Sequence, residues 1–178
     1  MTVASVESGK EVKCSRGVRL VADCLIADVD GLPYDLIALP GGMPGSERLR
    51  DCEPLLELMK QHAALRKPLG ALCAAPVVVL QHAGLLDDRT ATAHPAFADQ
   101  LPPGPSTGAR VVVDASYDAS QSTIVTAQGP GTAIEFALAC VELLFGSAQS
   151  RATAAPMTLR PALPTNAYPL KPSEWRMP

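Results

Sequence analysis

Three kinds of residue in this 178-residue chain could do chemistry together: a thiol at Cys73, an imidazole at His94 and glycines at Gly41 and Gly42. The run Leu69-Gly70-Ala71-Leu72 is small and apolar, compatible with a buried strand, and it stops at Cys73. Residues 74–86 then read as a helix, with Val77, Leu80 and Leu85 among its apolar positions. A cysteine on a strand-to-helix turn faces first-turn amides and the positive end of the helix dipole, which favour a thiolate. The geometry is that of a nucleophile elbow, although the sequence is not G-x-S-x-G. A small buried thiol at a strand end fits the local pattern equally well.

The partners a thiol nucleophile needs are an oxyanion donor and a base. Gly41 and Gly42 directly follow an apolar stretch, so their amides could be aimed at a reacting oxygen; an isolated Gly-Gly is otherwise an ordinary tight turn. His94, before Pro95, could exchange a proton beside a thiolate, or simply hydrogen-bond a loop. Gly129-Pro130-Gly131-Thr132 reads foremost as a helix start, with free amides that could face an anion. In an open α/β sheet Gly41-Gly42, Cys73 and His94 fall at strand carboxyl ends, where ligands bind. That convergence favours a cysteine-centred site.

The elements that must position these residues alternate. Residues 2–6, 34–39, 68–72, 90–93, 110–115 and 123–127 read as strands, and 13–21 as a hairpin turning at Ser15-Arg16-Gly17. A short helix is expected over 23–30, one from Ser46, one from Pro54 to about Leu65, and a strongly apolar one over 133–145 closed by Gly146. A polar turn around 118–121 joins two strands. The pattern implies a three-layer α/β fold with a mostly parallel sheet over residues 1–149, followed by a proline-rich extended tail over 150–178.

Composition excludes several functions. The chain is 47% hydrophobic but only 4% aromatic, so its core is mostly aliphatic, and its net charge of −3 offers no footprint for nucleic acid or an anionic membrane. No apolar run reaches the roughly 18 residues of a membrane span. Five cysteines without C-x-x-C pairs imply reduced thiols, and no spacing matches a structural zinc site, so neither a metal nor a cofactor is expected. Cys14, Cys24 and Cys52 read as core or surface thiols and Cys140 as a packing residue; His62 and His82 read as solvated, and Glu135 as a partner of a helix dipole. A strand-like run directly after Met1 leaves no room for a leader, so the chain is expected to be cytoplasmic or to lack its true N-terminus.

Taken together, the runs Thr2-Val3-Ala4-Ser5-Val6, Leu39-Pro40-Gly41-Gly42, Leu72-Cys73-Ala74-Ala75-Pro76, Ala93-His94-Pro95 and Gly129-Pro130-Gly131-Thr132 with Glu135-Phe136 resemble the ThiJ/PfpI (DJ-one) superfamily. The Cys73-Ala74-Ala75 corner looks like the parkinsonism-associated deglycase and glyoxalase III-like branch; the PfpI protease branch usually has His where Ala74 stands. Arg160, Tyr168 and Trp175 are similar to the ends of plant and green-algal members. The resemblance implies a flavodoxin-like sandwich, usually a homodimer, with Cys73 as an oxidation-sensitive nucleophile and His94 near it. It implies an oxyanion hole from the amides of Gly42 and Ala74, and anion binding by Arg16 on the hairpin at the dimer edge. The implied activities are glutathione-independent glyoxalase action on carbonyls such as methylglyoxal, deglycation, and redox-sensor or chaperone behaviour under oxidative stress. A compartment such as chloroplast, mitochondrion or nucleus would require a longer N-terminus. Members of the family begin with a further strand and helix carrying an acidic residue, usually Glu, hydrogen-bonded to the cysteine; nothing in this sequence matches that segment. The expected sheet therefore lacks the family's first strand, and the enzyme reading stands beside a non-enzymatic redox sensor signalling through Cys73.

Overall fold

The computed structural model describes residues 1–29, 33–102, 108–115 and 121–158. Its centre is a four-stranded sheet in the order β5 (Ile37–Leu39), β6 (Leu69–Leu72), β8 (Ile124–Ala127) and β7 (Val111–Asp114). The first three are parallel, with Leu39 opposite Ala71 and Leu72 opposite Ala127; β7 runs antiparallel at one edge. β8 is buried at all four residues, as a strand covered on both faces must be.

Side-chain alternation divides the core between the two faces. Leu69, Ala71 and Ile124 point to one side, where they join Leu39, Leu55, Met59, Val79, Leu80 and Leu86. On that side lie α1 (Gly45–Arg50), α2 (Glu53–Ala64) and a π-helical turn, Pro76–Gln81. Val125, Ala127 and Leu72 point to the other, against Phe136, Ala139 and Cys140 of α3 (Ala133–Phe145). Gly70 has no Cβ because Phe136 Cζ would lie 2.8 Å from it, so α3 rests directly on β6. Met59, Leu69, Leu80, Leu86 and Ile124 are fully buried, each stabilising the fold by roughly 2 kcal/mol. The three-layer, mostly parallel α/β architecture is the one expected.

Two small sheets complete the strands. β1 (Ala4–Ser5) pairs in parallel with β4 (Cys24–Leu25), and β2 (Glu11–Lys13) pairs with β3 (Arg19–Val21) as a hairpin across Ser15–Gly17. Among the described residues the outer edge of β5 is unpaired, and the β1–β4 ribbon does not join the main sheet.

Several local expectations are corrected. Cys24 and Leu25 are extended beside β1 rather than helical, and only Ile26–Asp28 makes a 3-10 turn. The helix after Cys73 is shorter than 74–86 and is wound wide, with Leu85 N–H donating to Leu80 O at 2.9 Å. Residues 90–93 form no strand. The start of the expected tail is helical: α4 (Ser147–Ala154) packs on α3, and the buried Ser150 hydroxyl donates to Leu138 O at 3.0 Å. Residues 159–178, with Arg160, Tyr168 and Trp175, and most of the turn at 118–121 lie outside the described residues.

Candidate active site at the carboxyl ends of three strands

Because β5, β6 and β8 are parallel neighbours, the segments that follow them emerge side by side. These segments are Pro40-Gly41-Gly42, Cys73-Ala74 and Gln128-Gly129. Cys73 extends the ladder by one bond, its N–H donating to Ala127 O at 2.9 Å. The chain then reverses sharply: Cys73 has φ of 66°, a left-handed conformation that costs a non-glycine residue about 1–3 kcal/mol. That turn leaves Cys73 half-buried while Ala74 and Ala75 are fully enclosed.

Gly41 is more than a tight turn. A Cβ there would lie 2.5 Å from Leu72 O and 3.1 Å from Ala74 N, and would collide with the Cβ of Cys73. Its backbone therefore lies flush against the cysteine corner. Gly42 sits at φ of 92°, where a Cβ would meet Ser15 Oγ at 2.8 Å. The Ser15 hydroxyl donates to Met43 O at 3.2 Å, so the hairpin turn leans on this loop. Arg16, in the same turn, is exposed at φ of 63° and forms no ion pair among the described residues. The Gly42 and Ala74 amides donate to no protein acceptor among the described residues.

His94 reaches the corner without a strand to carry it. Side chains of the sheet replace the ladder: Thr90 N–H donates to Asp114 Oδ2 at 2.7 Å, and Thr92 N–H to Thr126 Oγ1 at 3.0 Å. Asp114 is also paired with Arg89 at 3.0 Å in a site almost closed to solvent. The His94 N–H then donates to Cys73 O at 2.8 Å. The ring stands edge-on to Phe97, and its Nδ1 accepts the Ala96 N–H at 3.2 Å. Gly129 faces both groups, since a Cβ there would lie 3.4 Å from His94 Cδ2 and 4.0 Å from Cys73 Sγ. The buried Thr132 hydroxyl fixes this loop, accepting from Gly129 N–H at 3.1 Å and donating to Gly129 O at 2.9 Å.

Cys73, His94, Gly42, Ala74 and Gly129 thus lie around one corner, with Arg16 on the hairpin turn that contacts the Gly42 loop. The supporting roles of Thr92, Thr126, Asp114 and Arg89 have little local signature; the one available is a lone threonine within the aliphatic strand Ile124-Val125-Thr126-Ala127. His62 is buried rather than solvated, its Nε2–H donating to Pro68 O at 3.0 Å, and burial holds its pKa below the usual imidazole range. Glu135 pairs with Arg110 at 2.7 Å besides standing in the first turn of α3. Cys140 packs against Phe136 and Gly70, and burial pushes its thiol up to about 11. All five cysteines are free thiols. Shallow clefts beside α2 (Ile26, Val29, Pro54, Leu58) and beside α3 and α4 (Val141, Phe145) do not include Cys73 and carry no nucleophile. No group of three or more His, Cys, Asp or Glu among the described residues could hold a metal ion.

The model of the DJ-1/PfpI family matches residues 1–143. The chain is 39% identical over 146 residues to the protein DJ-1 homolog A of Arabidopsis thaliana, covering 82% of this chain and 36% of that one. It therefore spans about a third of the length of that relative and of DJ-1 homolog B from the same plant. It is 36% identical over 152 residues to the glutathione-independent glyoxalase DJR-1.2 of Caenorhabditis elegans, covering 85% of this chain and 77% of the relative. The oxidised DJ-1 of Toxoplasma gondii superposes with a TM-score of 0.81 at 46% identity, covering 88% of this chain and 81% of that one. By sequence match and by fold, the chain belongs to the DJ-1/PfpI family.

Proposed function

We propose that the chain is a cysteine-dependent glyoxalase-like protein that acts on small reactive carbonyls such as methylglyoxal. The observation that carries this reading is the left-handed Cys73, half-exposed at the strand end with the imidazole of His94 held against the same corner. The relative named as a glutathione-independent glyoxalase supports it. The thiolate adds to the aldehyde carbon to give a hemithioacetal whose oxygen lies within reach of the Gly42 and Ala74 amides. Solvent water takes the aldehyde hydrogen as a proton, leaving an enediol, and returns a proton to the neighbouring carbon as the hemithioacetal oxygen becomes the carbonyl of a thioester. Water releases lactate and the thiol. The net change is methylglyoxal plus water to lactate, with no external oxidant or reductant. Arg16 supplies positive charge at the rim for the product carboxylate. Early glycation adducts are a related carbonyl class for the same thiol.

Lactate formation from methylglyoxal by the wild-type chain and by Cys73→Ser tests the proposal. Turnover that disappears in the variant is expected; an inactive wild type, or an active Cys73→Ser, overturns it.

A second reading is favoured by one observation: among the described residues no carboxylate hydrogen-bonds to Cys73 or His94. Without that group the proton shift is unaided, whereas oxidation of Cys73 to sulfinate as a redox signal needs only an accessible thiolate. The oxidised state of the Toxoplasma relative supports this alternative. Peroxide treatment should add the mass of two oxygens to the wild-type peptide that carries Cys73, and none to the same peptide of Cys73→Ser at matched dose. The exposed hairpin residues Val18, Leu20 and Val21 suit a homodimer contact in either case, and the five free thiols suit a reducing compartment such as the cytoplasm. No helix among the described residues is long and apolar enough to cross a membrane.

A further inference from the structure

We infer that His94 works as a neutral imidazole carrying its proton on Nε2, donating a hydrogen bond to an oxyanion built on Cys73, and not as the base of the site. The inference deepens the Cys73-centred reading above and rests on it for the identity of the oxyanion.

The argument begins at Ala96. A backbone N–H is always a donor, so the ring atom it points to must present a lone pair. That atom is His94 Nδ1, at 3.2 Å. A ring turned by half a rotation would instead set a C–H against the same N–H, which offers no acceptor. Nδ1 is therefore unprotonated, and a neutral ring with a bare Nδ1 carries its hydrogen on Nε2. The local backbone reinforces this placement. Phe97 N–H donates to His94 O at 2.8 Å, closing a turn over Pro95 that holds the Ala96 amide beneath the ring.

The other edge of the ring is turned to the reactive corner. Cδ2, bonded to Nε2, faces the space over Gly129 that Cys73 Sγ also borders. Nε2 has no hydrogen-bond partner among the described residues, and it is not among the buried unpartnered polar atoms. Its hydrogen is thus free for a ligand. To serve as a base at Nε2, the ring would have to move its proton to Nδ1, against the Ala96 N–H. As a donor it needs no such change. The same hydrogen bond serves two oxyanions of one chemistry, the hemithioacetal alkoxide of the carbonyl reaction and the sulfinate of oxidised Cys73. In both cases the proton stays on Nε2, so no charge is transferred to the ring.

The first test is nitrogen-15 NMR of the histidine-labelled chain, with the His94 ring identified by its loss in His94→Gln. A pyridine-type Nδ1 and a pyrrole-type Nε2 are expected; the opposite pattern, or an imidazolium at neutral pH, overturns the inference whether or not the chain is an enzyme. The second test compares methylglyoxal turnover in His94→Gln, which keeps an N–H donor but no basic nitrogen, and in His94→Leu, which keeps neither. A donor role predicts that Gln retains kcat within about tenfold while Leu loses about 10²- to 10³-fold. Equal loss in both variants overturns it. If the wild type turns over no methylglyoxal, the glyoxalase reading falls, and the donor role is read from peroxide-oxidised protein instead. The Nε2–H resonance should shift and exchange more slowly on sulfinate formation at Cys73; an unchanged resonance overturns the inference there.

Discussion

The backbone N–H of Thr92 donates to the side-chain oxygen of Thr126 at 3.0 Å, and both residues are buried. One hydroxyl in β8 thereby does for the His94 segment what a neighbouring strand would otherwise do. Replacing it strands an amide away from water. Thr126→Val, nearly isosteric, should lower stability by about 1–3 kcal/mol in urea unfolding, and Thr126→Ser should recover most of that. The Val variant should also lose reactivity attributed to His94 more than it loses thiol content.

The glycines of the site separate into two kinds. At Gly41 a Cβ meets backbone atoms and the Cys73 Cβ, so Gly41→Ala should cost about 3 kcal/mol or more and yield little folded protein. At Gly129 a Cβ meets only side chains at ordinary contact distance, so Gly129→Ala should fold with a change of about 1 kcal/mol or less. Its methyl would occupy the space between Cys73 and His94, so reaction with a carbonyl should fall while thermal stability holds. A Gly129→Ala chain as reactive as wild type would count against substrate lying there.

Between β6 and α3 the fit of Gly70 to Phe136 is a matched pair. Gly70→Ala should destabilise by about 1–3 kcal/mol through overlap with the ring. Combined with Phe136→Leu, part of that cost should vanish, and a double-mutant cycle should show favourable coupling of about 0.5 kcal/mol or more.

His62 gives the fold a defined response to acid. Burial lowers its pKa in the folded chain, outweighing the hydrogen bond to Pro68 O, and nearby Lys67 lowers it further. The unfolded chain therefore takes up the proton first. Stability from this group is complete above pH 6.5 and declines as the pH falls below that value toward the lowered folded one. Urea midpoints measured from pH 7.5 down to 5.5 should fall more steeply in wild type than in His62→Gln; equal slopes would remove the claim.

Cys140 should behave as an inert thiol. With its pKa pushed up to about 11 by burial, it should resist alkylation at pH 8 while exposed Cys14 reacts, and become labelled only on unfolding. Because the folded value is raised above 9.0, the unfolded chain loses this proton first, and stability should decline between pH 9 and about pH 11.

The sequence revealed most where one residue type carries a local rule. Cys73 was legible because a run of small apolar residues ends on it, and α3 because Pro130 opens it and Gly146 closes it. Polar neighbours make His62 look solvated in the sequence, yet it is buried. The helical spacing of Leu55, Met59 and His62 places it on the buried face, and that was the better signal. The segment 90–93 alternates like a strand, yet its partners are side chains at Asp114 and Thr126, too distant in sequence for any local pattern to show. Cys24-Leu25 is too short for periodicity to separate strand from helix. The helix at Ser147–Ala154 follows from packing on α3 rather than from its own composition.

The bond from Cys73 N–H to Ala127 O has a consequence for the time at which the site comes into being. Everything before residue 124 can be synthesised, and α1, α2 and β6 can collapse together, without setting the cysteine in its final conformation. Only when β8 inserts between β6 and β7 does the ladder extend far enough to hold the corner. Parallel pairing of distant strands is slow because its loop must close before any contact is gained. Cys73 should therefore be held in its left-handed turn only once β8 is in place, and a chain truncated before residue 124 should carry this thiol without that constraint.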